Sequence, residues 1–123
     1  MTRTVRQVMK SDPLTVDADT SIETAAHLMR ASDSTDVLVT DNGSFRGVLT
    51  DSDIVVVAIA AGRHPATIPA GDCCNQDMAW ITADEPADRA AELMRRHALD
   101  RLPVLHDGQL VGTVQLGDVL NLT

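Results

Sequence analysis

The chain has 123 residues, 44% of them hydrophobic, with one Trp, one Phe and no Tyr, and a formal net charge of −8 at pH 7. That length gives one compact domain or two intimate halves, with a core of Val, Leu, Ile, Ala and Met. The acidic balance excludes nucleic acid and anionic membrane surfaces as partners, which need clustered Lys and Arg, and no stretch reaches the 18 apolar residues of a helical membrane span.

Residues 1–11 lack an apolar signal core, so a cytoplasmic location is expected. Leu14, Thr15 and Val16 predict a short strand. Thr20 and Glu23 form a capping-box pattern, and Ile22, Ala25, Ala26 and Met29 then mark one face of a helix. Asp36 to Thr40 predicts a strand rich in Val and Leu. The Asn42-Gly43 turn sends it back through Arg46 to Leu49. A helix starts at Asp51 and continues into Ile54-Val55-Val56-Val57-Ala58-Ile59-Ala60-Ala61, which is apolar all round. Such a helix must be covered on every side; a homodimer that packs these helices together is expected to do so, ahead of the alternative of a wholly intramolecular core. Gly62 ends the helix, and a linker with Pro65, Pro69 and Gly71 follows.

The pattern then repeats. Ala25-Ala26-His27-Leu28-Met29-Arg30 lies over Ala90-Ala91-Glu92-Leu93-Met94-Arg95 at a shift of 65 (90 − 25). The register runs without a gap from Val16/Ile81 to Ile54/Val119. It matches Gly43 with Gly108, Gly47 with Gly112 and Asp53 with Asp118. In the second copy, Trp80 to Thr82 is a strand, and Asp84 or Glu85 caps a helix with Pro86 in its first turn. Ala87, Ala90, Ala91 and Met94 are its apolar stripe. Leu102 to Leu105 and Leu110 to Val114 form a hairpin about Asp107-Gly108, and a brief helix begins near Leu116. Each copy is β-α-β-β-α.

The turns after the return strands carry the candidate chemistry. Gly47-Val48-Leu49-Thr50-Asp51-Ser52-Asp53 leaves a strand and opens a helix, and Gly112-Thr113-Val114-Gln115-Leu116-Gly117-Asp118 echoes it. Unpaired N–H groups and partial positive charge at a helix N-terminus suit an anion. A hydroxyl at Thr50 can join them on a phosphate, and Asp53 can accept hydrogen bonds from a sugar diol. The competing reading of the same residues is structural: a turn glycine followed by a Thr or Asp cap, with no ligand.

Two such copies, together with Arg101-Leu102-Pro103-Val104, resemble the CBS domain pair, or Bateman module, of the small stand-alone bacterial kind. The resemblance covers nearly the whole chain. It implies an α+β fold of two tandem repeats related by a pseudo-twofold axis, at residues 1–62 and 73–123, with a linker at 63–72. It also implies two clefts that take adenine nucleotides or related adenosyl compounds. In the first, Thr50 would hold phosphate and Asp53 the ribose diol. Met78, Ala79 and Trp80 would line the base, and Arg101 would face the phosphates. In the second, Gln115 and Asp118 would act with Pro13, Leu14 and Thr15. There Gln115 replaces the hydroxyl, and Asp36 stands where Arg101 stands in the other copy. A carboxylate repels phosphate, so this cleft is expected to be degenerate.

No nucleophile elbow, P-loop lysine or Gly-x-Gly-x-x-Gly is present, so no enzyme activity is expected. His27, His64, His97, His106, Cys73 and Cys74 match no standard zinc spacing, so no metal site is expected. Cys73 and Cys74 are adjacent, a poor geometry for a disulfide, and read as reduced thiols. The expected function is a regulatory module that needs no cofactor and binds a ligand of the AMP, ADP or ATP class. The alternative is a ligand-free scaffold acting through homodimerisation or thiol-dependent association.

Overall fold

The computed structural model describes residues 3–120, in this order. The elements are α1 (Val5–Val8), β1 (Thr15–Asp17), α2 (Ile22–Ala31), β2 (Asp36–Asp41), β3 (Ser44–Thr50), α3 (Asp51–Ile54), β4 (Ile81–Thr82), α4 (Ala87–Arg96), β5 (Arg101–His106), β6 (Gln109–Gln115) and α5 (Leu116–Leu120). They fall into two units. A continuous unit holds residues 14–78. A split unit joins the leading segment, residues 3–13, to residues 79–120.

The units repeat one plan. In the continuous unit β1 pairs parallel with β2, and β2 antiparallel with β3. In the split unit β4 pairs parallel with β5, and β5 antiparallel with β6. Both hairpins turn through two residues at positive φ, Asn42 and Gly43 (53° and 87°) and Asp107 and Gly108 (51° and 80°). That is the pair of left-handed conformations a two-residue hairpin loop requires. One helix packs each sheet. Ile22, Ala25 and Met29 are its buried stripe in α2, and Ala87, Ala90, Ala91 and Met94 in α4. Each core closes around these residues and the strand interiors, such as Val37, Val39 and Leu49, or Leu102, Val104 and Val114.

The helix starts differ from expectation. Ser21, not Thr20, caps α2: its Oγ accepts the Thr24 N–H at 3.1 Å. The Thr20 carbonyl is taken by the Ala70 N–H at 2.7 Å. Before α4 the cap is Pro86 itself, with no side-chain cap bond, in place of Asp84 or Glu85. The Glu85 carbonyl accepts the Val5 N–H at 2.8 Å. The apolar helix after Asp51 keeps α geometry for four residues and then widens into a π-helical stretch, Val55–Ala60. Three consecutive valines crowd an α-helical turn, and the wider turn gives them room.

The sequence pattern missed how the units are completed. The leading segment of each copy packs on the strands of the other copy. Lys10 and Thr113 exchange backbone hydrogen bonds (2.8 and 2.9 Å), as do Asn75 and Val48 (2.8 and 3.1 Å). The Ala87 N–H donates to the Arg3 carbonyl, and the Ile22 N–H to that of Ile68. Arg6 donates to Ala83, and Gly71 to Ala18. Every one of these pairs maps onto its counterpart by the shift of 65 (75 − 10). The stretch expected to be a linker therefore supplies core: Ile68 is 1% exposed and Ala70 fully buried.

This crossing explains the motif glycines. A Cβ at Gly112 would lie 2.5 Å from the Lys10 carbonyl oxygen, and one at Gly47 would meet the Asn75 carbonyl in the same way. Both glycines sit within strands, β6 and β3. They make room for the leading segment and do not shape a ligand turn.

Candidate functional site

In the continuous unit, β3 delivers Thr50 to the start of α3, with Thr50 extended (φ −103°, ψ 162°). The Thr50 N–H donates to Asp53 Oδ2 at 2.9 Å, and the Asp53 N–H donates to Thr50 Oγ1 at 3.1 Å. Each of the two expected ligand side chains thus accepts from the other residue's backbone N–H, a reciprocal cap, and both residues are half-buried. A carboxylate offers about four acceptor positions over two oxygens, so one hydrogen bond does not exhaust Asp53. The helix they cap runs through four α-helical residues into the π-helical stretch Val55–Ala60, so its N-terminal N–H groups and the two side chains are together what the site offers.

The split unit departs here. Gln115 ends β6 and Asp118 lies in the first turn of α5, but Gln115 has no hydroxyl to cap it. Asp118 Oδ2 is enclosed without a hydrogen-bond partner among the described residues. Arg101 opens β5 in register with Gln115, and Asp36 opens β2 in register with Thr50.

Met78 closes the continuous unit and Ala79 begins the second segment of the split one; both are half-buried. The residues expected at the first cleft are therefore divided: Thr50, Asp53 and Met78 in one unit, Ala79, Trp80 and Arg101 in the other. Those of the second cleft divide likewise: Leu14 and Thr15 in the continuous unit, Pro13, Gln115 and Asp118 in the split unit.

Trp80 lies just before β4, outside the strand, and is 50% exposed. With Ile81, Thr82, Glu85, Arg89 and Leu93 it lines a groove of about 330 Å³ in the split unit. The α4 side of this groove was not legible in advance. Glu85 reads as a cap in the sequence, and the apolar stripe read for this helix includes neither Arg89 nor Leu93.

Cys73 and Cys74 are free and half-buried. By the shift of 65 they stand where Val8 and Met9 stand in the split unit, and all four pack against their cores. Burial pushes both thiols above their ordinary range, with Arg63 opposing at Cys73 and Arg46 at Cys74. Among the described residues no three His, Cys, Asp or Glu side chains gather as a metal site would need.

The CBS domain model matches residues 5–59 and 70–122. The CBS domain-containing protein YhcV of Bacillus subtilis is 31% identical over 115 residues, which cover 94% of this chain and 81% of YhcV. In structure the chain is similar to Hypoxic Response Protein I, solved with two coordinated zinc ions. The TM-score is 0.85 at 28% identity, over 96% of this chain and 97% of that one. It is also similar to the CBS domain pair of protein MJ0100, solved with 5′-methylthioadenosine and S-adenosyl-L-methionine. That match has a TM-score of 0.76 at 23% identity, over 99% of this chain and 96% of that one, and it speaks to the fold alone. The two segments matched by the family model begin 65 residues apart (70 − 5), at the spacing of the hydrogen-bonded copies, and the chain belongs to the CBS domain family.

Proposed function

We propose that this protein is a non-catalytic regulatory module that binds an adenosine-containing ligand of the AMP, ADP or ATP class and acts as a homodimer. The observation that carries the ligand reading is the contact of Thr50 Oγ1 and Asp53 at the end of β3. In this reading the Asp53 carboxylate takes the ribose diol while it holds its own helix start. Thr50 meets a phosphate, Arg101 adds a charge-assisted hydrogen bond to phosphate, and Trp80 stacks on the base beside Met78 and Ala79. Gln115 and Asp118, with Leu14 and Thr15, make the weaker site. The free thiols suit a reducing, cytoplasmic setting.

Thermal unfolding with AMP, ADP, ATP, NAD and S-adenosylmethionine tests this. Ligand at a hundred times its dissociation constant adds about 2.7 kcal/mol of stability. Asp53→Ala, compared with its own ligand-free melt, loses that gain. An Asp53→Ala protein that keeps all of it removes Asp53 from the site.

A ligand-free scaffold is the second reading, and one observation favours it: the Thr50 and Asp53 side chains each have a structural role as a reciprocal helix cap without any ligand. No shift with any of the five compounds supports the scaffold. The homodimer rests on Val55, Val56 and Ile59, which are 52%, 61% and 75% exposed. These side chains are left uncovered by their own chain, as the sequence led us to expect. Tethering through Cys73 and Cys74 predicts a change of size on adding reductant; their place against the core weighs against it.

A further inference from the structure

The groove beside β4 joins an exposed indole to a carboxylate with acceptors to spare. Ile81 is its buried floor, flanked by the exposed Trp80 and Thr82. Glu85, Arg89 and Leu93 form the opposite wall, because residues four apart share one face of a helix. Its volume of about 330 Å³ is at the small end for small-molecule sites. Arg89 Nη1 lies 3.2 Å from Glu92, whereas Arg89 Nε is 3.8 Å from Glu85, within ion-pair range but beyond hydrogen-bond reach. A carboxylate has about four acceptor positions, so Glu85 keeps capacity for a ligand in the groove it lines.

An indole face, a carboxylate and apolar side chains together suit one chemistry, an organic cation with an apolar body. The ring attracts an ammonium, Glu85 accepts from its N–H groups, and Ile81 and Leu93 meet the hydrocarbon. An anion would meet two carboxylates, Glu85 and Glu92, and one guanidinium that they already share. A neutral ligand gains nothing from the charge on Glu85. The formal net charge of −8 draws cations toward the chain. We propose that this groove binds a small alkylammonium ion, free or as a lysine side chain of a partner. Trp80 and Glu85 hold its charged head, and Arg89 is the internal competitor for Glu85. The site lies wholly within the split unit and goes beyond the nucleotide reading, since Thr50, Asp53 and Arg101 take no part in it.

Trp80 is the one tryptophan of the chain, so its emission reads the groove directly. Titration with pentylammonium should give a saturable change in emission that weakens between about 0.05 M and about 0.5 M salt. Pentan-1-ol and pentanoate at the same concentrations should give none. Glu85→Gln should cost about three- to fivefold in affinity, and Arg89→Gln should gain about two- to fivefold because it frees Glu85. Asp88→Asn removes the same unit of charge from the same helix outside the groove lining, and should leave the affinity within about twofold. Trp80→Leu, followed through the amide signals of Thr82 and Leu93 by nuclear magnetic resonance, should lose as much as Glu85→Gln. Melting curves check that each variant folds. A blocked Gly-Gly-Lys-Gly-Gly peptide that binds more tightly than pentylammonium assigns the groove to a lysine on a partner; equal or weaker binding assigns it to a free amine. The inference is overturned if pentan-1-ol titrates like pentylammonium, if Glu85→Gln binds as the parent does, or if Arg89→Gln binds more weakly.

Discussion

Beyond the end of α4, Ala98 holds a φ of 54°, a left-handed conformation that costs a residue with a Cβ about 1–2 kcal/mol. Its counterpart in the continuous unit is Asp33 (φ 53°), a residue type that tolerates this region better. Ala98→Gly should therefore gain about 0.5–1 kcal/mol in a urea titration, after the extra entropy of the unfolded chain is subtracted. The end of β6 has the opposite fault, a missing cap. Gln115→Thr gives α5 the hydroxyl that α3 already has and gives the enclosed Asp118 carboxylate a cap to complete; it should gain about 0.5–1.5 kcal/mol. An unchanged melting temperature would show that the two turns do not share one geometry. The cysteines titrate in a definite direction. Desolvation, the largest cause, raises both thiols from 9.0. Their contribution to stability is thus present below about pH 9 and is lost as pH rises through the raised folded values. Alkylation at pH 8 should run slower in the folded protein than in urea; equal rates would contradict the burial.

At the scale of elements, the crossing segments control stability. Gly47→Ala or Gly112→Ala drives a methyl into a backbone carbonyl that is itself hydrogen-bonded, at a cost of about 1–3 kcal/mol, read from the urea midpoint. These segments were the part of the fold that the sequence hid. Under the shift of 65, residues 3–13 and 68–78 share only Asp12 with Asp77. Their cross-copy hydrogen bonds run backbone to backbone, and their buried positions accept different apolar side chains, such as Val8 and Met9 in one copy and Cys73 and Cys74 in the other. The hairpins were legible because few residue pairs accept two positive φ values in a row. The helix stripes were legible because burial recurs with the helical period. Thr50 and Asp53 were legible as a pair. Whether such a pair caps a helix or grips a sugar depends on what stands across from it, which spacing alone does not encode. The groove at Trp80 was hidden for a related reason: its two walls are brought together by the packing of α4 beside β4.

For the whole molecule, the exposed apolar stretch and the acidic surface pull in different directions. Net charge of −8 keeps copies apart at long range, whereas Val55, Val56 and Ile59 favour contact at short range. Ile59→Asp should weaken self-association with little change in melting temperature at low protein concentration, because the side chain is already in water. A large fall in melting temperature would mean that Ile59 supports its own chain. No helix among the described residues is long and apolar enough to cross a membrane.

The exchanged leading segments bear on how such a chain can come apart. Residues 14–67, translated by themselves, would lack the piece at 68–78 that finishes their sheet. A lone copy beginning at residue 3 would carry a finishing piece fitted to its neighbour. Two lone copies would have to trade ends before either was whole. This polypeptide is that trade sewn into a single thread, and snipping the thread between the copies should leave two fragments that find each other again.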